Sequence, residues 1–293
     1  MKLKKLLSFA LALCIVLSAG AALALNEGDA RAVIGANLSE ENKNQVYSTF
    51  GISRGSVTEL TVTNADERQY LEGLVSSDKI GTNAISCVYV EIAKAGSGLD
   101  ITVSDNISWC TRETYMNALV TAGISDAKVI VTAPVSGITG TAALTGIYKA
   151  YESITGTALD DVAKLVGTQE LVITNELADE IGSYDASMIV NELKKILDET
   201  QNMTDAEVDA EIRRIAKEYN VSISDFQISQ LIKLCRSLEG LDASALKEKV
   251  ESAQDAIKKL AGVQETANKF VEGVKNIFQS IGNFFSNLFG KKN

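Results

Sequence analysis

The sequence contains no histidine and only one proline among its 293 residues. Without histidine, every Ser-His-Asp or Cys-His mechanism is excluded, and so is every zinc site that uses imidazole. One of the four cysteines, Cys14, lies in an apolar leader, so the mature chain keeps three and cannot form a Cys₄ site. We therefore expect no bound metal and no cofactor, and we consider an enzyme the weaker hypothesis.

Positive charge is also scarce. The chain has 28 lysines and arginines against 38 aspartates and glutamates, a net charge of −10. Removal of the leader described below takes away three lysines and makes the net charge −13. Because binding to nucleic acid depends on neutralising phosphates, we expect no nucleic-acid partner. The 46% of hydrophobic residues instead predict a packed, helix-rich globule.

Residues 1–24 have the three parts of a secretory signal peptide. Lys2, Lys4 and Lys5 form a positive n-region, residues 6–17 are apolar, and residues 22–24 (Ala-Leu-Ala) match the A-x-A cleavage pattern. The expected location is extracellular or associated with the cell envelope. A retained membrane anchor is the alternative, which the short apolar run disfavours.

Residues 25–135 show alternating strand and helix patterns and are expected to form an α/β unit. After a helix at 39–50, the pattern predicts strands at 57–63, 84–93, 99–103 and 127–133, and helices at 64–75 and 111–122. This β-α-β-β-α-β order is that of a ferredoxin-like unit with a four-stranded antiparallel sheet. The predicted fold class is α+β: this unit, then a helical region that ends in an amphipathic helix.

Cys87 and Cys110 could form a disulfide, because export permits one and they lie 23 positions apart around a predicted hairpin. The alternative is that they are two small buried hydrophobic residues. Spacing alone leaves both interpretations open.

Residues 136–240 are predicted to be helical, and residues 241–293 to form a long helix with an amphipathic tail. The same five residues, Ile-Thr-Gly-Thr-Ala, occur at 138–142 and at 154–158. Each copy precedes helix-forming sequence, so we expect two helix starts with threonine caps.

The most site-like segment is the Gly/Thr-rich loop at 134–146, which follows a strand and opens a helix. Free backbone N–H groups there could hold a small anion or an envelope glycan, helped by the side chains and backbone of Ser136, Thr139, Gly140 and Thr141. The loop lacks the lysine of a P-loop and the spacing of a dinucleotide fingerprint. The alternative, which we favour, is a tight turn in which Gly140 and Gly146 permit close packing.

The C-terminal tail (residues 270–293) carries the strongest functional pattern. From Gly273 onward it has no acidic residue, and its apolar residues recur at helical spacing. Such a helix fits a membrane interface, with aromatic side chains buried and lysines at anionic headgroups; the alternative is docking on a protein surface. The predicted contact residues are Phe278, Ile281, Phe284, Phe285, Leu288, Phe289, Lys291 and Lys292.

Three blocks of the sequence resemble the bacterial family known as domain of unknown function 1002 (DUF1002), exported proteins of Gram-positive bacteria. They are residues 115–124 (YMNALVTAGI), 131–137 (VTAPVSG) and 140–151 (GTAALTGIYKAY). The likeness extends in general layout from about residue 27 to residue 240. It implies an envelope or extracellular location and brings no catalytic residues.

Two functional hypotheses follow. The first is a non-enzymatic interaction protein of the cell envelope, tethered by its tail to the membrane surface or to an envelope protein. The second is a binding module that holds an anion or glycan at the loop 134–146. The sequence leaves the oligomeric state unknown.

Overall fold

The computed structural model describes residues 27–261. The predicted signal peptide and the C-terminal tail lie outside the described residues. The strands are β1 (Ala30–Gly35), β2 (Thr58–Val62), β3 (Cys87–Ile92), β4 (Leu99–Val103) and β5 (Ala127–Thr132). The helices are α1 (Glu40–Phe50), α2 (Asn64–Leu71), α3 (Ser77–Ile80), α4 (Arg112–Thr121), α5 (Thr141–Thr155), α6 (Asp161–Ile181), α7 (Ser183–Lys195), α8 (Leu197–Thr200), α9 (Asp205–Glu218), α10 (Asp225–Leu238) and α11 (Ala243–Leu260).

The strands form a five-stranded mixed sheet in the order β2-β1-β3-β5-β4. β1 pairs in parallel with β2, and β4 pairs in parallel with β5. β3 lies between these two pairs and is antiparallel to β1 and to β5. The α+β class is confirmed, but the ferredoxin-like strand order is wrong.

Two features of the chain explain the error. Strand β1 was missed because it does not alternate: Ala32 and Ile34 face one cluster, Val33 faces the other, and all three are buried. A strand covered on both faces lacks the period-two pattern on which a sequence-based prediction depends. In addition, β3 and β4 do not form a hairpin, because β5 is inserted between them.

Helices cover both faces of the sheet. On one face, Val46, Tyr47 and Phe50 of α1 pack with Ala32 and Ile34 in one core cluster. On the other face α5 approaches closely, since a Cβ added at Gly146 would lie 3.1 Å from Val88 Cγ1 and 3.4 Å from Val33 Cγ1. Burial of apolar side chains on both faces stabilises the sheet. The prediction that Gly146 permits close packing is confirmed.

The later helices extend the second face into one continuous core. A single cluster of buried residues includes Val33 of β1, Ile147 of α5, Leu193 of α7 and Ile257 of α11. It thus contains residues of the α/β unit, of the helical region and of the long last helix. Helix α11 begins after Asp242, which caps it by accepting a hydrogen bond from Ala245 N.

The repeated five-residue pattern does not mark two helix starts. The first copy does open α5, but its cap is Gly140, without a side-chain hydrogen bond from threonine. The second copy ends the same helix, with Gly156 at its C-cap in a left-handed conformation (φ +65°). Helix α6 begins after Asp160, whose carboxylate accepts from Ala163 N at 2.8 Å. Gly140 and Gly156 thus cap the two ends of α5. The prediction of a helix start was wrong for the second copy, and the prediction of a threonine cap was wrong for both copies.

Candidate functional site

Backbone hydrogen bonds join the Gly/Thr-rich loop to the segment that precedes α4. Ile138 N donates to Asn106 O at 3.1 Å, and Ile138 O accepts from Ser108 N at 2.8 Å. Cys110 N donates to Thr139 O at 3.0 Å. Several backbone N–H and C=O groups of the loop are therefore already hydrogen-bonded within the protein and are not available to a ligand.

The three hydroxyl groups predicted to hold an anion all have partners within the protein. Ser136 Oγ donates to Asn106 Oδ1 at 2.9 Å. Thr141 Oγ1 donates to Glu67 Oε1 at 2.5 Å, and the hydroxyls of Thr139 and Thr141 lie 3.1 Å apart. The structure thus brings Thr139, Gly140 and Thr141 together and directs Ser136 elsewhere.

Glu67 is the carboxylate that the sequence analysis missed. It lies on α2, is only 1% exposed, and meets the first residue of α5. Burial raises the pKa of Glu67, and the hydrogen bond from Thr141 partly opposes this. Since a helix N-terminus favours negative charge, an internal carboxylate lies where an external anion was predicted.

Gly140 lies where no side chain fits. Its φ is +97°, and a Cβ there would lie 2.6 Å from the Tyr115 hydroxyl and 2.7 Å from Ile107 Cγ2. The same hydroxyl donates to Gly140 O at 2.5 Å. The prediction that Gly140 permits close packing is confirmed, and the fully buried Tyr115 joins the site unpredicted.

Cys87 and Cys110 are free thiols. They belong to different core clusters: Cys87 Sγ accepts from Gly35 N at 3.3 Å, and Cys110 Sγ accepts from Asn175 Nδ2 at 3.6 Å. The disulfide is therefore not formed, because the hairpin that suggested it does not exist. Burial raises the pKa of each thiol to about 12, which leaves them as unreactive hydrophobic residues.

A second buried polar group joins α4, α6 and α7. Lys194 Nζ lies 2.8 Å from Glu170 Oε1, and both side chains are 0% exposed. Thr121 donates to Glu170 Oε2 at 2.5 Å, and Lys194 also donates to Asn117 O at 3.2 Å. Burial raises the pKa of Glu170 and lowers that of Lys194, while their attraction opposes both shifts.

This ion pair also went unpredicted, although the sequence carries a signal. Asn117 and Thr121 lie one turn apart on α4, and Ser187, Asn191 and Lys194 recur at helical spacing on α7. Polar residues at that spacing inside apolar helices indicate helices that meet through polar stripes. Asn191 Nδ2 of α7 donates to Asn117 Oδ1 of α4 at 2.8 Å, and this hydrogen bond joins the two polar stripes.

Among the grooves on the surface of the described residues, two differ clearly in the charge of their lining. The first lies between α4 and α11, has a volume of about 550 Å³, and is lined by both acidic and basic side chains, among them Asp126, Lys249 and Lys259. The second, the α6–α10 groove, has a volume of about 230 Å³. Its lining residues are Ile173, Glu176, Leu177, Asp179, Glu180, Phe226, Gln227, Gln230 and Leu231.

Residues 27–261 provide neither a helix that could cross a membrane nor a cluster of metal ligands. None of the helices there combines the length and the apolar composition needed to cross a bilayer. In the same stretch, cysteine and carboxylate side chains form no group of three that could hold a metal ion. The tail residues predicted to contact a membrane, Phe278 to Lys292, lie outside the described part of the chain.

The chain is similar to known proteins over most of its length. The model of a family described as "Protein of unknown function (DUF1002)" matches residues 34–256. The chain belongs to this family. A relative described as an uncharacterized protein, YpuA of Bacillus subtilis (strain 168), is 37% identical to this chain over 265 residues. The aligned region covers 89% of this chain and 90% of the relative. No solved structure matches.

The family confirms the resemblance drawn from the three sequence blocks, and the match includes the whole buried site. Glu67, Tyr115, Gly140 and Thr141 all fall within the matched residues, as do Glu170 and Lys194. The C-terminal tail falls outside them. The family's function is unknown, so no residue roles are inherited from it.

Proposed function

We propose that this protein is a non-enzymatic interaction protein that works outside the cytoplasm and is held at a membrane surface by its C-terminal tail. The observation that carries the proposal is the reversal of charge in the tail. From Gly273 onward the sequence has three lysines and no acid, in a chain whose overall net charge is −10. Cationic residues beside an aromatic, apolar stripe are typical of a helix that lies in an anionic membrane interface.

The described part of the chain supports this assignment through the burial of α11. Leu246, Val250, Ala253 and Ile257 of this helix are buried in the main core cluster, and Ala256 packs half-buried against it. Ala261, the last described residue, is exposed. The described residues therefore end at the surface of the globule, which suits a tail that binds a separate partner.

A non-catalytic role is supported by the chemistry of the buried groups. Glu67, Glu170 and Lys194 are at most 1% exposed, and burial raises the pKa of Cys110 to about 12. A catalytic group must reach its substrate, and a nucleophilic thiol needs a lowered pKa. These groups instead connect secondary-structure elements.

Vesicle flotation tests the tether. Mature protein (residues 25–293) is mixed with vesicles of phosphatidylglycerol and phosphatidylcholine, and a chain that ends at residue 269 is compared with it. We expect the complete chain to float and the shortened chain to remain at the bottom. Since charge attracts the tail, flotation should weaken as salt is raised.

A matched pair of variants separates apolar insertion from other uses of the tail. Phe285→Ser with Phe289→Ser alters the apolar stripe, whereas Asn283→Ser with Asn287→Ser alters the polar face. Only the first pair should reduce flotation. Equal flotation of the complete chain and the shortened chain would dismiss the tether.

Export is tested separately. Mass spectrometry of protein recovered from the medium and from the wall and membrane fractions should find Leu25 as the first residue, because cleavage is proposed after Ala24. An intact Met1 on protein found in the cytosol would contradict it.

The alternative function, an anion or glycan module at loop 134–146, is disfavoured by Glu67. Its carboxylate already holds the Thr141 hydroxyl at 2.5 Å, and a second negative charge beside it would be repelled. Calorimetry with inorganic phosphate and with muropeptides should therefore give no binding heat.

A further inference from the structure

The α6–α10 groove is a small apolar depression with an exposed aromatic wall. Ile173, Leu177 and Leu231 line it and are buried. Phe226 forms part of its lining but is 64% exposed, more than any other large hydrophobic side chain of the described residues. An aromatic ring left in water beside an apolar floor is a feature of protein contact sites.

The polar atoms of this groove point to a cationic occupant. Glu176, Asp179 and Glu180 line it, and none of its lining residues is a lysine or arginine. Asp179 lies 4.0 Å from Lys79 Nζ outside the lining, so Glu176 and Glu180 carry the argument. A cationic segment placed there would gain electrostatic complementarity.

Gln227 adds a hydrogen-bond donor. It is only 5% exposed; its Oε1 accepts from Ser224 N at 2.9 Å, and its Nε2 has no partner among the described residues. A buried amide group without a partner costs free energy, and an occupant that supplies an acceptor would remove this cost. The side chain lines the groove, where such an acceptor could meet it.

We propose that, away from membranes, the α6–α10 groove holds this chain's own C-terminal tail, so that groove and membrane compete for the same apolar stripe. The inference rests on the proposed function, because it assigns regulation to the same segment. The tail has the required chemistry: aromatic residues such as Phe284 and Phe285 for the apolar floor, lysines for the acidic rim, and asparagine side chains as acceptors for Gln227.

The length of chain after residue 261 is compatible with this contact. Twelve residues, 262–273, separate the last described residue from the apolar stripe. Fully extended, twelve residues span about 40 Å, which is close to the diameter of a globule of this size. Gln254 of α11 donates to Glu192 of α7 at 2.9 Å, and α7 follows α6 directly after Gly182, so the last described helix packs on the element next to the groove.

The α4–α11 groove is a poorer match although it is larger. Lys249 and Lys259 line it together with Asp126, Glu248 and Asp255, so its charge is nearly balanced. A cationic tail would gain little there. A further groove, of about 400 Å³, is lined by Asp160, Asp242 and Lys249, so its charge is nearly balanced as well. We therefore assign the tail to the smaller, acidic groove.

Photo-crosslinking in the complete mature chain tests the contact. Phe226→p-benzoylphenylalanine places the reactive group in the groove, and Lys233→p-benzoylphenylalanine places it at an exposed position of α10 outside the groove lining. We expect peptides of residues 274–292 to be linked to position 226 and not to position 233. Addition of phosphatidylglycerol vesicles should abolish the link, because the membrane then takes the tail.

Isotope mixing identifies which copy supplies the tail. In an equal mixture of ¹⁴N- and ¹⁵N-labelled protein, an intramolecular contact gives links of uniform label. Links of mixed label would overturn the proposal in favour of a second copy. Absence of tail peptides at position 226 would overturn it altogether.

Charge reversal gives a second, independent readout. With Glu176→Lys and Glu180→Lys the groove repels the tail, and the apparent affinity for vesicles should rise about fivefold, as expected when two exposed ion pairs are lost. The control reverses two exposed acids outside the groove, Glu72→Lys and Glu251→Lys, and so matches the change in net charge. An equal rise in both proteins would contradict competition.

These experiments separate the two proposals. If the wild type does not float, the membrane tether fails, whatever the crosslinks show. If it floats but position 226 captures no tail peptide, only the contact with the groove is rejected.

Discussion

Glu67 and Glu170 are two carboxylates removed from water to the same degree, at 1% and 0% exposure, but their partners differ in charge. Glu170 faces the ammonium group of Lys194 at 2.8 Å. Among the described residues, Glu67 accepts side-chain hydrogen bonds from neutral donors, the Thr141 hydroxyl at 2.5 Å and the Asn64 amide at 3.5 Å, while the Arg68 charge attracts it without a hydrogen bond. One region compensates a buried charge mainly with a paired opposite charge, and the other mainly with dipoles.

This difference determines what each region contributes to stability. A buried ion pair is costly to form and far more costly to break, because removal of one partner leaves the other charge uncompensated. A carboxylate held by neutral donors can instead take up a proton and lose its charge. We therefore expect the region of Glu170 to be sensitive to mutation and the region of Glu67 to be sensitive to pH.

The largest effect should come from Lys194→Met. This change leaves Glu170 buried without its counter-ion, and the free energy of unfolding should fall by about 3–5 kcal/mol. Urea denaturation at neutral pH measures it. The double variant with Glu170→Leu restores an apolar interior and should recover at least roughly half of the loss. A single variant as stable as the wild type would show that the pair contributes little.

Gly140→Ala should have the next largest effect, about 2–3 kcal/mol. The new Cβ would meet the Tyr115 hydroxyl at 2.6 Å, and alanine is strained at a φ of +97°. Gly137→Ala is the matched control, because φ there is +82° but no atom lies within 4 Å of the added Cβ. It should cost only the backbone strain, about 1 kcal/mol. Equal losses in thermal or urea unfolding would exclude the steric contact as the cause.

Some local structure could be predicted from the sequence, whereas long-range pairing could not. The helix predicted at 39–50 corresponds to α1, which Ser39 caps, since a cap depends on residues within one turn. The two threonine caps were wrong because glycine lies at both ends of α5. Strand β1 and the order of the sheet were missed because each depends on partners far along the chain. Arg31 of β1, for example, pairs with Thr58 on one side and with Val90 on the other.

The candidate site shows the same division. Thr139, Gly140 and Thr141 were selected for their positions in a strand–loop–helix pattern, and the structure does bring them together. Their decisive partners, Glu67 and Tyr115, lie 74 and 25 positions away from the atoms that they meet. Nothing in the spacing of the loop indicates that a carboxylate from α2 would fill the place of a ligand.

Thr141→Ala tests how strongly Glu67 depends on its hydroxyl partner. Loss of a buried hydrogen bond to a charged group should cost about 1.5 kcal/mol. Ser136→Ala is the control, because the exposed Ser136 donates only to Asn106 at the surface, and its loss should change stability by less than about 0.5 kcal/mol. Equal small losses in urea denaturation would mean that Glu67 does not rely on Thr141.

Glu67→Gln should have the smallest effect at any single pH but the clearest dependence on pH. The pKa of Glu67 is raised in the folded protein above its ordinary value of 4.5, so the folded state binds the proton more tightly than the unfolded state does. Its contribution to stability is complete below pH 4.5 and is lost as the pH rises through the raised, folded-state pKa. Glutamine keeps the neutral form at every pH, so the variant should gain stability relative to the wild type as the pH rises, by about 1.4 kcal/mol for each unit by which the pKa of Glu67 is raised. Urea denaturation of both proteins from pH 4 to pH 7 measures this difference, and Glu170 and the other carboxylates cancel in the comparison. A difference that does not change with pH would show that the dipoles at the start of α5 hold the negative charge of Glu67 as well as water does.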